Sequence, residues 1–158
     1  MILVKIGAIN GLSEIAGHEK WVQVDSLQFG VGRAISIQSG GADRDTSNPS
    51  FSEITVTKSM DISSPDIFAE AVAGKAPDKA EVHFVQTAGT DTKPQVFLKL
   101  TLLKPLVSSY SMSSGGERPT ESLSINFTKI EYQYDSYSGD KVTTGTPKKW
   151  DLVKNEKY

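Results

Sequence analysis

Apolar and polar residues alternate along most of this chain with a period of two. Ile54, Val56 and Met60 share one parity and Thr55, Thr57 and Ser59 the other. Val96, Leu98, Leu100 and Leu102 alternate with Phe97, Lys99, Thr101 and Leu103, and Leu123, Ile125 and Phe127 alternate with Ser122, Ser124, Asn126 and Thr128. This period predicts half-buried strands, apolar inward and rich in hydroxyls outward. Lys58 breaks the apolar parity of its strand; the expectation is that its stem lies along the apolar side while the ammonium reaches water. Gly40-Gly41, Gly89, Pro94, Gly115-Gly116, Gly139 and Gly145 punctuate the strands. The parity slips twice. Leu123, Ile125 and Phe127 hold odd positions, whereas Ile130, Tyr132 and Tyr134 hold even ones; Val22 and Val24 give way to Leu27 and Phe29. A one-residue shift sends side chains to the opposite face, so a bulge near Thr128-Lys129, in a strand bending round a corner, is expected.

One helix is predicted over about 65–73. Ser64 is placed to cap it, Pro65 suits its first position, Asp66 faces the positive end of the dipole, and Gly74 is expected as a left-handed stop. Ile67, Phe68, Ala71 and Val72 form a stripe expected to lie on a sheet. One short helix among many strands predicts a mainly β, single-domain fold spanning 1–158, a barrel or sandwich with the helix on its side. Residues 39–50 are polar and aperiodic, which predicts a long loop; near the C-terminus, Trp150 and Leu152 read as anchors.

Composition removes several functions. The chain has 158 residues, 17 basic and 19 acidic side chains, and a formal net charge of −2, so no global positive field draws nucleic acid. Cysteine is absent and there are two histidines, which removes disulfides, thiolate zinc sites, cysteine nucleophiles and histidine-rich metal sites. The apolar N-terminal run Met1–Ile9 is short, without a preceding basic region, and reads as a strand rather than a signal peptide. No run approaches the ~18 apolar residues of a membrane span. The expected starting compartment is therefore the cytosol, with no membrane insertion.

The chain shows no catalytic set, and no metal or cofactor is expected. There is no Gly-x-Ser-x-Gly elbow and no Walker A run. His83 lies between Val82 and Phe84 and reads as a structural or outward strand histidine, and His18 as a solvated loop residue. Asp43-Arg44-Asp45 lacks the glycine and terminal glutamate of a calcium loop, Gly30-Val31-Gly32 lacks the rest of a dinucleotide fingerprint, and Lys148-Lys149-Trp150 reads as a solvated strand end. Strands with hydroxyl-rich outer faces and no catalytic set suit a module that works by binding or assembly, and long strand edges recruit other chains.

Three blocks resemble the haemolysin-coregulated protein (Hcp) family, the tube subunits of type VI secretion systems. They are Ile2–Gly7 with Asn10-Gly11 and His18-Glu19; Phe51–Asp61 followed by Ser64-Pro65; and Leu106–Ser111 through Ser114–Phe127, with its Gly-Gly turn and Pro-Thr-Glu run. Trp150-Asp151 also fits. The resemblance implies a β-barrel-like fold of two packed antiparallel sheets with one short flanking helix. It implies hexameric rings stacking into a hollow tube, with no enzymatic activity. The implied partners are the chain itself, contractile sheath proteins, a spike at the tube tip, and effectors in the lumen. It also implies export from the bacterial cytoplasm by the apparatus, without a leader. Two other readings stay open here: an adaptor that forms rings but few tubes, and an unrelated β-sandwich binding module or hydrolase.

Within that picture a ring needs a heterologous interface. The segment holding Gly40, Gly41, Asp43, Arg44, Asp45 and Asn48 is expected to reach the next ring. If Leu27 and Phe29 face the core, Ser26, Gln28 and Gly30 face away, and these three are the expected lumen positions, with Gln28 touching cargo.

Overall fold

The computed structural model describes residues 1–37, 44–89 and 93–158. Along the chain run β1 (Ile2–Ile6), β2 (Val22–Val24), β3 (Ser26–Gln28), β4 (Val31–Gly32), β5 (Ile35–Ile37), β6 (Arg44–Thr46), β7 (Ser50–Phe51) and β8 (Ile54–Ser59). After the helix α1 (Ser64–Ala73) come β9 (Lys79–Thr87), β10 (Pro94–Leu103), β11 (Leu106–Ser113) and β12 (Thr120–Asn126). The last strands are β13 (Lys129–Tyr134), β14 (Ser136–Ser138), β15 (Lys141–Thr143) and β16 (Lys148–Asp151). A six-stranded sheet, β16-β13-β10-β9-β1-β2, faces a four-stranded sheet, β11-β12-β8-β3, and every pairing is antiparallel. Neither strand order closes on itself, so the expected two-sheet β fold is present as a sandwich and is a barrel only loosely.

Alternation builds the core in register. Val4, Val82, Leu100 and Tyr132 pair across one sheet, as do Ile6, Ala80, Leu102, Ile130 and Trp150. Leu27, Val56, Leu123 and Tyr110 form a facing row on the other. Trp150 and Leu152 do anchor the C-terminal segment against this core.

Both parity slips are sheet crossings. β2 belongs to the large sheet and β3 to the small one, with Asp25 between them; β12 and β13 are separated likewise by Phe127 and Thr128. The expected bulge at Thr128-Lys129 is therefore a corner: a chain passing between facing sheets must reverse the direction in which its apolar side chains point. True register shifts lie elsewhere, between Val96 and Leu98 in β10 and between Val107 and Ser109 in β11, so the run from Val96 to Leu102 does not keep one parity.

The helix departs from its sequence signals at both ends. Its N-cap is Ser63, whose hydroxyl donates to Asp61 Oδ1 and makes no capping bond, while Ser64 lies inside the helix with its hydroxyl engaged by Lys58 and Glu121. Gly74 is extended (φ −65°), not left-handed; glycine fits there because a Cβ would stand 2.4 Å from the Glu70 carbonyl oxygen. Only Ile67 of the expected stripe is fully buried, with Ala71 packed beside it. Phe68 and Val72 are 55% and 67% exposed.

Of the stretch 39–50 expected as a loop, residues 39–43 lie outside the described residues and residues 44–50 include strand. Ile35, Ser36 and Ile37 pair with Thr46, Asp45 and Arg44, and the ladder continues through Ala34 and Ser47 to Val31–Phe51 and Gly32–Ser50. The result is a narrow two-stranded arm, held by backbone pairing that its polar side chains do not signal.

Candidate functional surface: the hydroxyl face of the small sheet

Because Leu27, Val56, Leu123 and Tyr110 point inward, their neighbours in β3, β8, β12 and β11 point out. Register aligns these neighbours in three rows: Ser113–Thr120–Ser59, Ser111–Ser122–Thr57–Ser26, and Ser109–Ser124–Thr55–Gln28. Every side chain in the rows is a hydroxyl or an amide. Ser26 Oγ and Thr57 Oγ1 lie 2.5 Å apart, and Thr55 Oγ1 and Ser124 Oγ 3.2 Å. At the margins Ser59 donates to Asp25 (3.4 Å), and Glu53 accepts from Ser108 and from Asn126 Nδ2 (3.3 Å). The face is polar, uncharged along its rows, and suited to hydrogen bonding with a polar surface.

Of the expected lumen positions, Ser26 and Gln28 lie exposed on this face. Gly30 sits past the end of β3, where its backbone exchanges hydrogen bonds with Ser52. Gln28 and Gly30 line one shallow depression together with Ser52, Glu53, Thr55 and Ser124. Of the residues expected to reach a neighbouring ring, Gly40, Gly41 and Asp43 lie outside the described residues. Arg44 and Asp45 belong to β6, and Asn48 is exposed between β6 and β7.

Behind the face lies a buried polar network that the sequence did not announce. Lys58 is fully buried, so its ammonium does not reach water. It pairs in register with Glu121, also fully buried, with Nζ 2.7 Å from Oε2, and reaches Asp61 Oδ1 (2.9 Å) and Ser64 Oγ (3.2 Å). Ser64 Oγ donates to Glu121 Oε2 at 2.7 Å, and the Tyr110 hydroxyl donates to Glu121 Oε1. Burial pushes the Glu121 carboxyl up, but the hydrogen bonds from Lys58, Tyr110 and Ser64 and the charge of Lys58 outweigh it and hold the pKa below the ordinary value. Asp61 is lowered in the same way: burial opposes, and bonds from Ser63 and Lys58 prevail. Burial and the adjacent Glu121 push Tyr110 up to about 12. The network ties β8, β11 and β12 to the start of α1. A signal for it existed: Lys58 and Glu121 are opposite charges that each occupy the apolar parity of a strand.

A second pin lies on the outer face of the large sheet. The segment after β1 folds back so that His18 Nε2 meets His83 Nδ1 at 2.8 Å, with the Trp21 ring 4.6 Å from that of His83. His18 is buried, not solvated as expected. Burial, followed by the nearby His18, lowers the His83 pKa to about 4, so the ring stays neutral well into the acid range. Among the described residues no three His, Asp or Glu side chains stand close enough to hold a metal ion, and no helix is long and apolar enough to cross a membrane.

Comparisons with known proteins agree over most of the chain. Residues 3–134 match the family described as type VI secretion system effector, Hcp. Protein hcp1 of Pseudomonas aeruginosa is 32% identical over 107 residues, which span 65% of this chain and 65% of that relative's length. A solved structure described as a type six secretion system protein superposes with a TM-score of 0.89 at 27% identity, covering 99% of this chain and 98% of the other. Hcp1 from Salmonella typhimurium shares the fold with a TM-score of 0.76 at 20% identity, covering 99% and 97%. With residues 3–134 matching the family model and a solved structure at 27% identity superposing over 99% of the chain, the chain belongs to the Hcp family of type VI secretion proteins, structural tube components rather than enzymes.

Proposed function

We propose that this chain is the repeating unit of a hollow secretion tube. Six copies close side by side into a ring, the hydroxyl face lines the bore, rings stack, and effectors ride inside. Assembly takes place in the bacterial cytoplasm, within a contractile sheath and beneath a spike, and the apparatus then exports the tube. One observation carries the reading: the small sheet leaves both its edges, β3 and β11, without a strand partner among the described residues, while its outer face carries only polar side chains in its rows. A free edge at each end of one sheet suits head-to-tail pairing between copies, and a closed ring leaves no edge exposed. A polar bore lets a folded cargo enter and leave, where an apolar one would hold it.

The arm from β4 to β7 is the element proposed to bridge rings, and removing residues 41–48 should leave rings but abolish stacks. The test is light scattering on the purified protein together with electron microscopy. Rings at six times the 17.1 kDa subunit mass support the reading. A solitary compact particle at every concentration, with no annular images, overturns it.

A further inference from the structure

The exposed side of α1 is unusual for a helix in water. Phe68 and Val72 stand on it beside Pro65, Ala69 and Ala73, all exposed, and its only charged residues, Asp66 and Glu70, lie along one border. A helix that ends its fold in solvent carries charges on that side; an apolar strip rimmed by charge marks a contact surface. The helix packs against β11, so the strip lies beside one free edge of the small sheet.

A complementary feature lies beside the other free edge. Immediately past β3, the rings of Phe29, Phe51, Tyr132 and Trp150 wall an apolar groove of about 420 Å³, and Lys148 and Lys157 stand on its rim. Lys149, also on the rim, is already paired with Glu131 (3.1 Å). Lys148, Lys157 and Asp66 are exposed and Glu70 is half-buried, and none of the four has an ion-pair partner among the described residues. The acidic apolar strip and the basic apolar groove thus flank opposite edges of one sheet. Pairing β11 of one copy with β3 of the next brings both to the same seam.

We propose that the Phe68–Val72 strip of α1 docks in the Phe29–Trp150 groove of a second copy of this chain, with Asp66 and Glu70 set against the neighbour's Lys148 and Lys157. The inference rests on the ring reading and adds the contact that decides which copies join. Such an interface is heterologous: each copy offers a strip on one side and a groove on the other. Rim charges of this kind act chiefly on partner choice.

That asymmetry gives a sharp experiment. One variant carries Asp66→Lys and Glu70→Lys; the other carries Lys148→Glu and Lys157→Glu. Each alone sets like charges against each other at every seam and should raise the concentration for half-assembly at least tenfold in sedimentation velocity. Mixed in equal amounts, they match at every seam and should restore a six-membered ring in which they strictly alternate. Circular dichroism checks that each is folded. Val72→Asp, at a position already two-thirds exposed, gives a second reading and should also weaken assembly at least tenfold. Variants that assemble singly like the wild type overturn the docking and leave the ring reading standing, as does a mixture that fails to complement. A wild-type chain that stays monomeric throughout overturns both.

Discussion

Replacing Lys58 by Met keeps most of the buried stem and removes only the charge. In the intact protein Glu121 accepts from Lys58, Tyr110 and Ser64 with no exposure to water. Breaking one partner out of such a pair leaves an uncompensated buried charge and costs about 3–5 kcal/mol. For a chain of this length that is a fall in Tm of roughly 6–20 °C. Glu121→Leu alone should be comparably harmful, because the buried ammonium then keeps only Asp61, at the margin of the network, and the Ser64 hydroxyl. Combining the two removes the Lys58 and Glu121 charges; what remains is the loss of the acceptor for the Tyr110 and Ser64 hydroxyls, of order 1–3 kcal/mol per unsatisfied group, and of the ammonium beside Asp61, which keeps its bonds from Ser63. The double variant should therefore be clearly more stable than the two single losses added together.

Urea unfolding of all four proteins at one fixed subunit concentration measures this, since association itself shifts apparent stability. Acidity supplies a second axis. In the wild type the Glu121 pKa is lowered, so its contribution is present above the ordinary carboxylate value and fades as pH falls through the folded one. Without Lys58, its hydrogen bond and its charge no longer lower that pKa while burial still opposes the bonds from Tyr110 and Ser64, so the carboxyl takes up its proton at a higher pH than in the wild type and the unpaired buried charge is relieved sooner on acidification. The Lys58→Met deficit should shrink between about pH 7 and pH 5. A Lys58→Met protein within about 1 kcal/mol of the wild type at neutral pH, or a double variant no better than the sum, would refute the network.

Other outcomes follow from single sites. His83, depressed to about 4, should titrate far below an ordinary imidazole in an NMR pH series; the folded state binds fewer protons than the unfolded one between pH 6.5 and about 4, so stability should decline across that window on acidification. A midpoint near 6.5 for His83 contradicts the geometry. Gly11→Ala places a Cβ 2.4 Å from the Trp21 carbonyl oxygen and should cost about 1–3 kcal/mol by thermal melting, whereas Gly32→Ala, with nothing within 4 Å, should be close to neutral. Gln28→Arg puts charge on the uncharged face, and co-purification of a lumen cargo with its rings should fall; undiminished retention counts against the bore assignment.

The sequence by itself determined the alternating strands of the two main sheets, the helix and, through the blocks around Phe51–Asp61 and Leu106–Phe127, the family. These are local properties: alternation with period two, a proline at a helix start and a glycine turn are legible without knowing what lies opposite. It also identified Ser26 and Gln28 as outward-facing, because parity alone fixes the face. What it could not determine was which sheet each strand joins. The slips at Asp25 and Phe127-Thr128 look like bulges in a linear reading and are crossings between sheets in space. For the same reason the linear pattern sends the ammonium of Lys58 to water, whereas the fold buries it. Its partners, Glu121 and Ser64, are 63 and 6 residues away, and only strand register and helix docking bring them together. Phe68 and Val72 were assigned to the core because a stripe shows that a helix has an apolar side. How much of that side is covered depends on the width of the sheet beneath it, and β11 is where that sheet ends. Tertiary structure thus decided the buried ion pair, the histidine pin, and the surface left over for another copy. Each depends on contacts between distant segments, which a local pattern does not encode.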